Sequence, residues 1–158
     1  MATSSSELTP GATAPAFTVP SDSGATVALK DFKGRPVVLY FYPKDDTSGC
    51  TTEACEFRDS WRAVQAAGAV VLGVSPDGVA SHQKFKKKYE LPFTLLADED
   101  HAVAEAYGAW GEKSMYGRQY FGVLRKTYII DARGKIAHVF PKVKPRGHAA
   151  EVLAALAE

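Results

Sequence analysis

The sequence contains little sulfur, since two of its 158 residues are cysteines and two are methionines. A chain of this length buries roughly two thirds of its unfolded surface and needs no disulfide scaffold. Neither positive nor negative side chains are in large excess, because 19 Lys and Arg residues nearly balance 18 Asp and Glu residues. The resulting formal charge of +1 argues against a general binder of polyanions, so we do not expect nucleic acid as a partner.

Long apolar runs are absent as well. No window approaches the roughly 20 apolar residues of a membrane-spanning helix. The first residues, MATSSSELTPGATAPAF, lack the basic and apolar regions of a secretory signal. We therefore expect a protein of the reducing cytoplasm with no membrane partner. In that compartment two close cysteines are more often catalytic, redox-sensing or metal-binding than structural.

The apolar pattern predicts a single α/β domain over residues 1–158, with a mobile arm at residues 1–14. Segment 17–29 alternates apolar and polar residues around the turn SDSG and predicts a β-hairpin. The unbroken apolar run PVVLYFY at 36–42 predicts a central strand buried on both faces. The further predicted elements are a helix from Cys50 to Gly68, strand 69–75, helix 81–90, strand 91–98, helix 101–108, two strands within 125–140 and helix 148–158. Their order predicts a mixed sheet with helices on both faces.

Both cysteines lie in PKDDTSGCTTEACEF, residues 43–57, where the central strand turns into a helix. If Thr47 or Ser48 caps that helix, Cys50 lies in its first turn, where free amides and the helix dipole favour a thiolate. Thr47 is the nearest hydroxyl that could orient an electrophile. Helical periodicity places Cys50 on the buried side and Cys55 on the wetter side.

The spacing of the two cysteines carries its own information. Five residues of an ideal helix correspond to about 140° of rotation and about 7.5 Å of rise, or about 8.6 Å between the two Cα atoms. Disulfides rarely tolerate more than about 7 Å, so Cys50 and Cys55 can bond only if the first turns unwind. This asymmetry suits a reaction in which Cys50 is oxidised to a sulfenic acid that Cys55 later captures.

These residues resemble the peroxiredoxin family. Pro43, Thr47 and Cys50 match its Pro-x-x-x-Thr-x-x-Cys signature, and a second cysteine five residues later is similar to the peroxiredoxin Q subfamily, also called bacterioferritin comigratory protein. The segments APAFTVPSDSG, LKDFKGRPVVLYFYPKD, TTEACEFRD, GVLRKTYIID and KVKPRGHAAEVL extend the likeness over nearly the whole chain. One departure is Phe140, where many relatives carry a tryptophan.

The resemblance implies a thioredoxin-like fold with an added N-terminal hairpin, and a role for each of seven residues. These are Cys50 as peroxidatic cysteine, Cys55 as resolving cysteine, Thr47 as hydrogen-bond partner of the peroxide, Pro43 as shield of the pocket, Arg125 as catalytic arginine, and Tyr42 and Glu53 as supporting residues. It further implies a thiol peroxidase, acting on hydrogen peroxide or organic hydroperoxides and recycled by thioredoxin or a similar dithiol reductant. No metal, haem or flavin is expected, and the chain is expected to be a monomer.

Two other functions remain open from the residues. One is a protein thiol-disulfide oxidoreductase, although its usual Cys-x-x-Cys is missing, and the other is a non-enzymatic redox sensor. The histidines, His82, His101, His138 and His148, show no zinc spacing. The basic run KFKKKY at 84–89 could dock an acidic reductase or nucleic acid, but it is more typical of a solvated helix face. YGAWGEKSMYG at 107–117 predicts either a flap near the active site or a loop that packs its own aromatic residues.

Overall fold

In the computed structural model, residues 8–157 are described, and they form a mixed central sheet with flanking helices and two smaller strand pairs. The strands are β1 (Thr18–Pro20), β2 (Thr26–Ala28), β3 (Val37–Phe41), β4 (Val70–Ser75), β5 (Thr94–Ala97), β6 (Trp110–Met115), β7 (Arg118–Val123), β8 (Thr127–Ile130) and β9 (Ile136–Phe140). The helices are a 3-10 turn at Leu29–Phe32, α1 (Ser48–Asp59), α2 (Trp61–Ala66), α3 (Val79–Tyr89), α4 (Ala102–Ala106) and α5 (His148–Leu156). The predicted mixed α/β architecture and N-terminal hairpin are confirmed.

The central sheet has the strand order β5-β4-β3-β8-β9. Strands β3, β4 and β5 are parallel to one another, while β8 runs antiparallel to both β3 and β9. Because β3 lies in the middle, its backbone is paired on both sides. The carboxyl end of β3 lies at the end of the sheet where α/β proteins usually place their functional groups. The chain continues from there into α1.

The two faces of β3 enter two different cores. Val37, Leu39 and Phe41 pack into a core that includes the N-terminal hairpin and α4. Val38 and Tyr40 pack into a second core that includes residues of α1, α3 and α5. Burial on both faces explains why this segment is apolar at every position instead of alternating.

The helix predicted from Cys50 to Gly68 is two helices in the structure. Helix α1 ends at Asp59 and α2 begins at Trp61, with Ser60 between them at φ −97° and ψ 11°. The break is one residue wide. The apolar stripe that produced the prediction continues across it, because Phe57 and Val64 are buried in the same core.

Residues 107–117 do not form an irregular loop, and the alternative interpretation, a flap near the active site, stays a prediction. The segment 110–123 is a regular antiparallel hairpin, in which β6 pairs with β7 from Trp110 opposite Val123 to Met115 opposite Arg118. Its turn places Tyr116 and Gly117 at positive φ, the conformation of the tight turns that suit strand twist. Tyrosine is an uncommon residue at such a position, so the turn carried no recognisable sequence signal.

The N-terminal arm is only partly described. Residues 1–7 of the mobile arm that we expected at 1–14 lie outside the described residues. Its second part is tied to the fold, because Gly11 donates a backbone hydrogen bond to Ile136 and Ala14 donates one to Gly134. Leu8 and Ala12 also pack against the core on that face of the sheet.

Candidate active site

Cys50 lies in the first turn of α1, as predicted, and one side of it packs against apolar residues. Only 1% of its surface is exposed, and it shares a core with Ala54 and Phe57 of the same helix. Thr47 occupies the N-cap position with extended φ and ψ, and its carbonyl accepts a hydrogen bond from the Thr51 amide. The predicted capping position is therefore confirmed, although the Thr47 side chain makes no capping hydrogen bond.

A guanidinium faces the thiol. Arg125 follows β7 and lies 75 positions from Cys50, yet its Nη2 is 3.3 Å from the Sγ atom of Cys50. Its Nη1 donates a 2.7 Å hydrogen bond to Oε1 of Glu53. A permanent cation at this distance stabilises negative charge on Sγ. The structure thus brings together three residues whose roles the resemblance implied.

Glu53 is a buried acid with one unpaired oxygen. Its Oε2 has no hydrogen-bond partner among the described residues. Burial raises the pKa of Glu53 to about 7, although the charge and hydrogen bond of Arg125 act in the opposite direction. The side chain therefore fixes one edge of the guanidinium while the other edge remains directed at the sulfur.

Three further residues of the signature region lie in the loop between β3 and α1. The Thr47 side chain is exposed, and its hydroxyl donates to the Lys44 carbonyl at 2.8 Å, which leaves the oxygen free to accept a hydrogen bond. Pro43 is half-buried at the start of the loop. The Tyr42 hydroxyl donates to Asp45 at 2.6 Å, so Tyr42 supports the loop through this bond.

Cys55 lies on the other side of α1. Cys55 is half-buried, whereas Cys50 is buried; both thiols are free and belong to one continuous helix. Burial raises the pKa of Cys55; the nearby Arg58 charge lowers it, and the Asp59 charge raises it further. The predicted division between a buried and a wetter thiol is confirmed, and the intact helix keeps the two thiols apart.

Two residues near Cys50 were missed by the sequence analysis. Burial, followed by the charges of Glu53 and Cys50, raises the pKa of Tyr40 well above its usual value, and the buried Tyr40 hydroxyl has no partner among the described residues. Its position two residues before Tyr42, on the same strand face, could have revealed it. Lys113 of β6 shares a depression of about 470 Å³ with Arg125, and only its hairpin brings it there.

The histidines and the basic run have local roles. His82 contacts Asp45, His101 contacts Glu105, and His148 contacts Thr127 and Glu151. Within residues 8–157, no three His, Cys, Asp or Glu side chains are grouped as metal ligands. In the basic run, Lys86 pairs with Asp22 and Lys88 with Asp46, so this helix face is less free than expected. No described helix combines the length and apolar character that crossing a bilayer requires.

Comparison with known proteins accounts for this arrangement. The model of the AhpC/TSA family matches residues 10–139. A putative peroxiredoxin Bcp of Coxiella burnetii is 55% identical over 146 residues, which cover 92% of this chain and 97% of the relative. Peroxiredoxin Bcp of Bacillus subtilis is 49% identical over 146 residues, covering 92% of this chain and 93% of the relative.

The chain is also similar to a solved structure of a protein of this kind. The bacterioferritin comigratory protein of Xanthomonas campestris, described for its alkyl peroxide reduction activity, matches with a TM-score of 0.85 and 40% identity. The match covers 89% of this chain and 90% of that one. The chain therefore belongs to the AhpC/TSA family of peroxiredoxins, which are thiol peroxidases, and within it to the Q or Bcp type. Its function implies a peroxide substrate and a thiol reductant.

Proposed function

We propose that the enzyme reduces hydrogen peroxide and organic hydroperoxides through Cys50, with Cys55 as the resolving cysteine and thioredoxin or a similar dithiol protein as the reductant. The observation that carries this proposal is the guanidinium of Arg125, 3.3 Å from the buried sulfur of Cys50. A fixed cation beside the sulfur stabilises negative charge as it develops in the reaction and can also bind peroxide oxygens. The described alkyl peroxide activity of the Xanthomonas protein supports the organic substrates.

The first step transfers one oxygen atom. The Cys50 thiolate attacks one peroxide oxygen, an S–O bond forms as the O–O bond breaks, and the departing hydroxide or alkoxide takes up a proton. The products are a sulfenic acid and water or an alcohol. Arg125 stabilises the negative charge that moves from sulfur to the leaving oxygen. Glu53 orients the guanidinium, and the Thr47 oxygen accepts a hydrogen bond from the peroxide.

The second step requires a change in α1. The sulfur of Cys55 attacks the sulfenic sulfur of Cys50, which forms a disulfide and releases the sulfenic oxygen as water. About 8.6 Å of Cα separation in an ideal helix exceeds the disulfide limit of about 7 Å, so the turns between the cysteines unwind first. A dithiol protein then reduces the disulfide and is itself oxidised. Pro43 shields the pocket from water, and Tyr42 supports the loop.

The wider setting follows from the same chemistry. We infer that residues 1–158 act as one domain and that the enzyme is a monomer, because both thiols belong to one chain. Two free cysteines fit the reducing cytoplasm. The proposed cycle uses cysteine sulfur alone and needs no metal, haem or flavin.

Two matched variants test the proposal. Peroxide consumption is followed with thioredoxin, its reductase and NADPH. We expect Cys50→Ser to abolish consumption, and Cys55→Ser to reduce one equivalent of peroxide per chain before it stalls as a sulfenic acid. Mass spectrometry then detects the trapped adduct on Cys50. Full consumption by Cys50→Ser would refute the proposal, and unchanged turnover of Cys55→Ser would remove its resolving role.

A further inference from the structure

Two consecutive aspartates anchor the loop that precedes α1, and both are bound by α3. Asp46 accepts hydrogen bonds from Lys88 and Tyr89 at the surface. Asp45 is 7% exposed and is held from several elements. Its carboxylate accepts hydrogen bonds from the Tyr42 hydroxyl at 2.6 Å, the Ser81 hydroxyl at 2.8 Å and Nδ1 of His82 at 2.7 Å. The basic helix thus carries the main supports of this loop.

His82 lies between two acceptors. Its Nδ1 is 2.7 Å from the Asp45 carboxylate and its Nε2 is 2.9 Å from the Leu96 carbonyl. A neutral imidazole has one N–H, so with an ionised Asp45 both contacts are hydrogen bonds only when the ring carries two protons and a positive charge. The side chain has no exposed surface, so this charge is completely buried.

The other groups around His82 favour that charge. Burial lowers the pKa of His82, but the hydrogen bond and charge of Asp45, the Leu96 carbonyl and the charge of Asp77 outweigh it and raise the pKa. The Tyr42 hydroxyl is 3.5 Å from Nδ1. Burial, first among several causes, raises the pKa of Tyr42 well above its usual value, so this phenol stays neutral.

The buried pair is connected to the peroxide site through the backbone. Asp45 follows Lys44, whose carbonyl accepts a 2.8 Å hydrogen bond from the Thr47 hydroxyl. The Asp45 amide donates to Asp77, and Asp46 has a φ of +59°, a conformation that non-glycine residues hold only when their surroundings fix it. Asp45 thus lies in the short loop between Thr47 and the Lys44 carbonyl that orients the Thr47 hydroxyl.

We propose that His82 is a positioning residue for the peroxide site, which as a buried imidazolium holds Asp45 and thereby the acceptor oxygen of Thr47. This inference rests on the proposed function. Different results would refute the two proposals. A wild-type protein that consumes no peroxide refutes the proposed function, whereas an active wild type whose peroxide rate does not change when His82 is substituted refutes only the positioning role.

The proposal predicts a pH dependence. Because the pKa of His82 is raised, the His82–Asp45 ion pair is fully formed at pH values below the usual histidine pKa. The ion pair is lost as the pH rises through the pKa that His82 has in the folded protein. Above that pH one of the two hydrogen bonds of His82 disappears. The peroxide rate of the wild type should then fall relative to the thiolate fraction, and this alkaline fall should be absent in His82→Gln, whose side chain does not titrate.

The test compares two substitutions on the same helix. We expect His82→Gln to lower the second-order rate constant for peroxide by about 10-fold to 100-fold, since a small misplacement of a catalytic group has effects of this size. Alkylation of Cys50 by iodoacetamide needs no Thr47 acceptor and should change less than about threefold. Lys88→Met removes an exposed bond to Asp46 but leaves the Tyr89 hydrogen bond to the same carboxylate, so it should change the peroxide rate less than about twofold.

A measurement on the wild type keeps the proposal testable if His82→Gln does not fold. Proton–nitrogen correlation spectra of histidine-labelled protein should show both ring nitrogens of His82 protonated at neutral pH. A neutral ring would overturn the proposal. So would an unchanged peroxide rate in folded His82→Gln, an equal loss of peroxide and alkylation rates, or an equal loss in Lys88→Met.

Discussion

Cys50 and Cys55 belong to the same helix, yet they meet different surroundings. Cys50 is 1% exposed and faces the guanidinium of Arg125. Cys55 is half-buried beside the opposed charges of Arg58 and Asp59, and burial raises the pKa of its thiol. About 140° of helix rotation separates the two environments. Both residues are cysteines, so their different environments come from the face of the helix on which each lies, and only the face of Cys50 meets the cation.

Arg125→Met should reduce the difference in reactivity between Cys50 and Cys55 more than any other substitution. Removing a fixed charged donor from a transition state typically costs about 10²-fold to 10³-fold in rate, and we expect a loss of that size in the reaction of Cys50 with peroxide. Stopped-flow fluorescence after mixing with peroxide measures it. Arg125→Lys keeps the charge but cannot bind Glu53 and the sulfur at once, so its loss should be smaller. Alkylation of Cys55 should not change, and a loss at Cys50 below about threefold would contradict the assigned role.

The surroundings of Cys50 could be predicted only in part. The turn from strand to helix, the position of Cys50 in the first turn and the opposite faces of the two thiols follow from local periodicity, which spans a few residues. Arg125 is 75 positions away and reaches Cys50 through the pairing of β8 with β3. Spacing along the chain does not encode such contacts, so the arginine came from the family resemblance alone.

Other features escaped for different physical reasons. The β6–β7 hairpin was missed because its turn uses Tyr116 at positive φ, where asparagine or glycine would be the usual signal. The link from His82 to Asp45 was missed because a lone histidine within a basic helix resembles a surface residue. Its burial depends on how α3 packs beside the loop, which is a property of the folded sheet.

Glu53→Gln tests the environment of Cys50 through the pH dependence of the free energy of unfolding. The pKa of Glu53 is raised from its usual 4.5 to about 7, so the folded state holds the proton more tightly than the unfolded state does. The contribution of Glu53 to stability is therefore complete below pH 4.5 and is lost as the pH rises through about 7. At about 1.4 kcal/mol per pKa unit, the loss is on the order of 3 kcal/mol.

Urea unfolding of wild type and Glu53→Gln across this pH range measures the effect. Glutamine keeps the shape of the protonated acid, so the two proteins should have similar stability in acid. The variant should become the more stable of the two at alkaline pH. A difference in unfolding free energy that does not vary with pH would show that Glu53 ionises in the folded protein as it does in the unfolded chain.

Gly49→Ala should affect both thiols moderately. An added Cβ would lie 3.3 Å from Nη2 of Arg125 and 3.2 Å from Cγ of Pro145, so the guanidinium has to shift by a few tenths of an ångström. Alanine also stabilises a helix by up to about 1 kcal/mol over glycine, which makes unwinding of α1 up to about fivefold less favourable. Stopped-flow fluorescence should show a slower oxidation phase and a slower disulfide phase. Unchanged rates of both phases would indicate that Pro145 moves to accommodate the added methyl group and that unwinding of α1 does not limit disulfide formation.

Asp59→Asn should have the smallest effect, and it concerns Cys55 alone. The Asp59 charge raises the pKa of Cys55, so removing it lowers that pKa and increases the thiolate fraction at neutral pH. Because Asp59 is exposed, solvent and salt screen its charge, and we expect about a twofold faster alkylation of Cys55 in a Cys50→Ser background. Arg58→Gln should slow the same reaction, since the Arg58 charge lowers the pKa. High salt should remove both effects, because the charges of these residues act through solvent; a difference that survives salt would mean that the substitution had altered the helix itself.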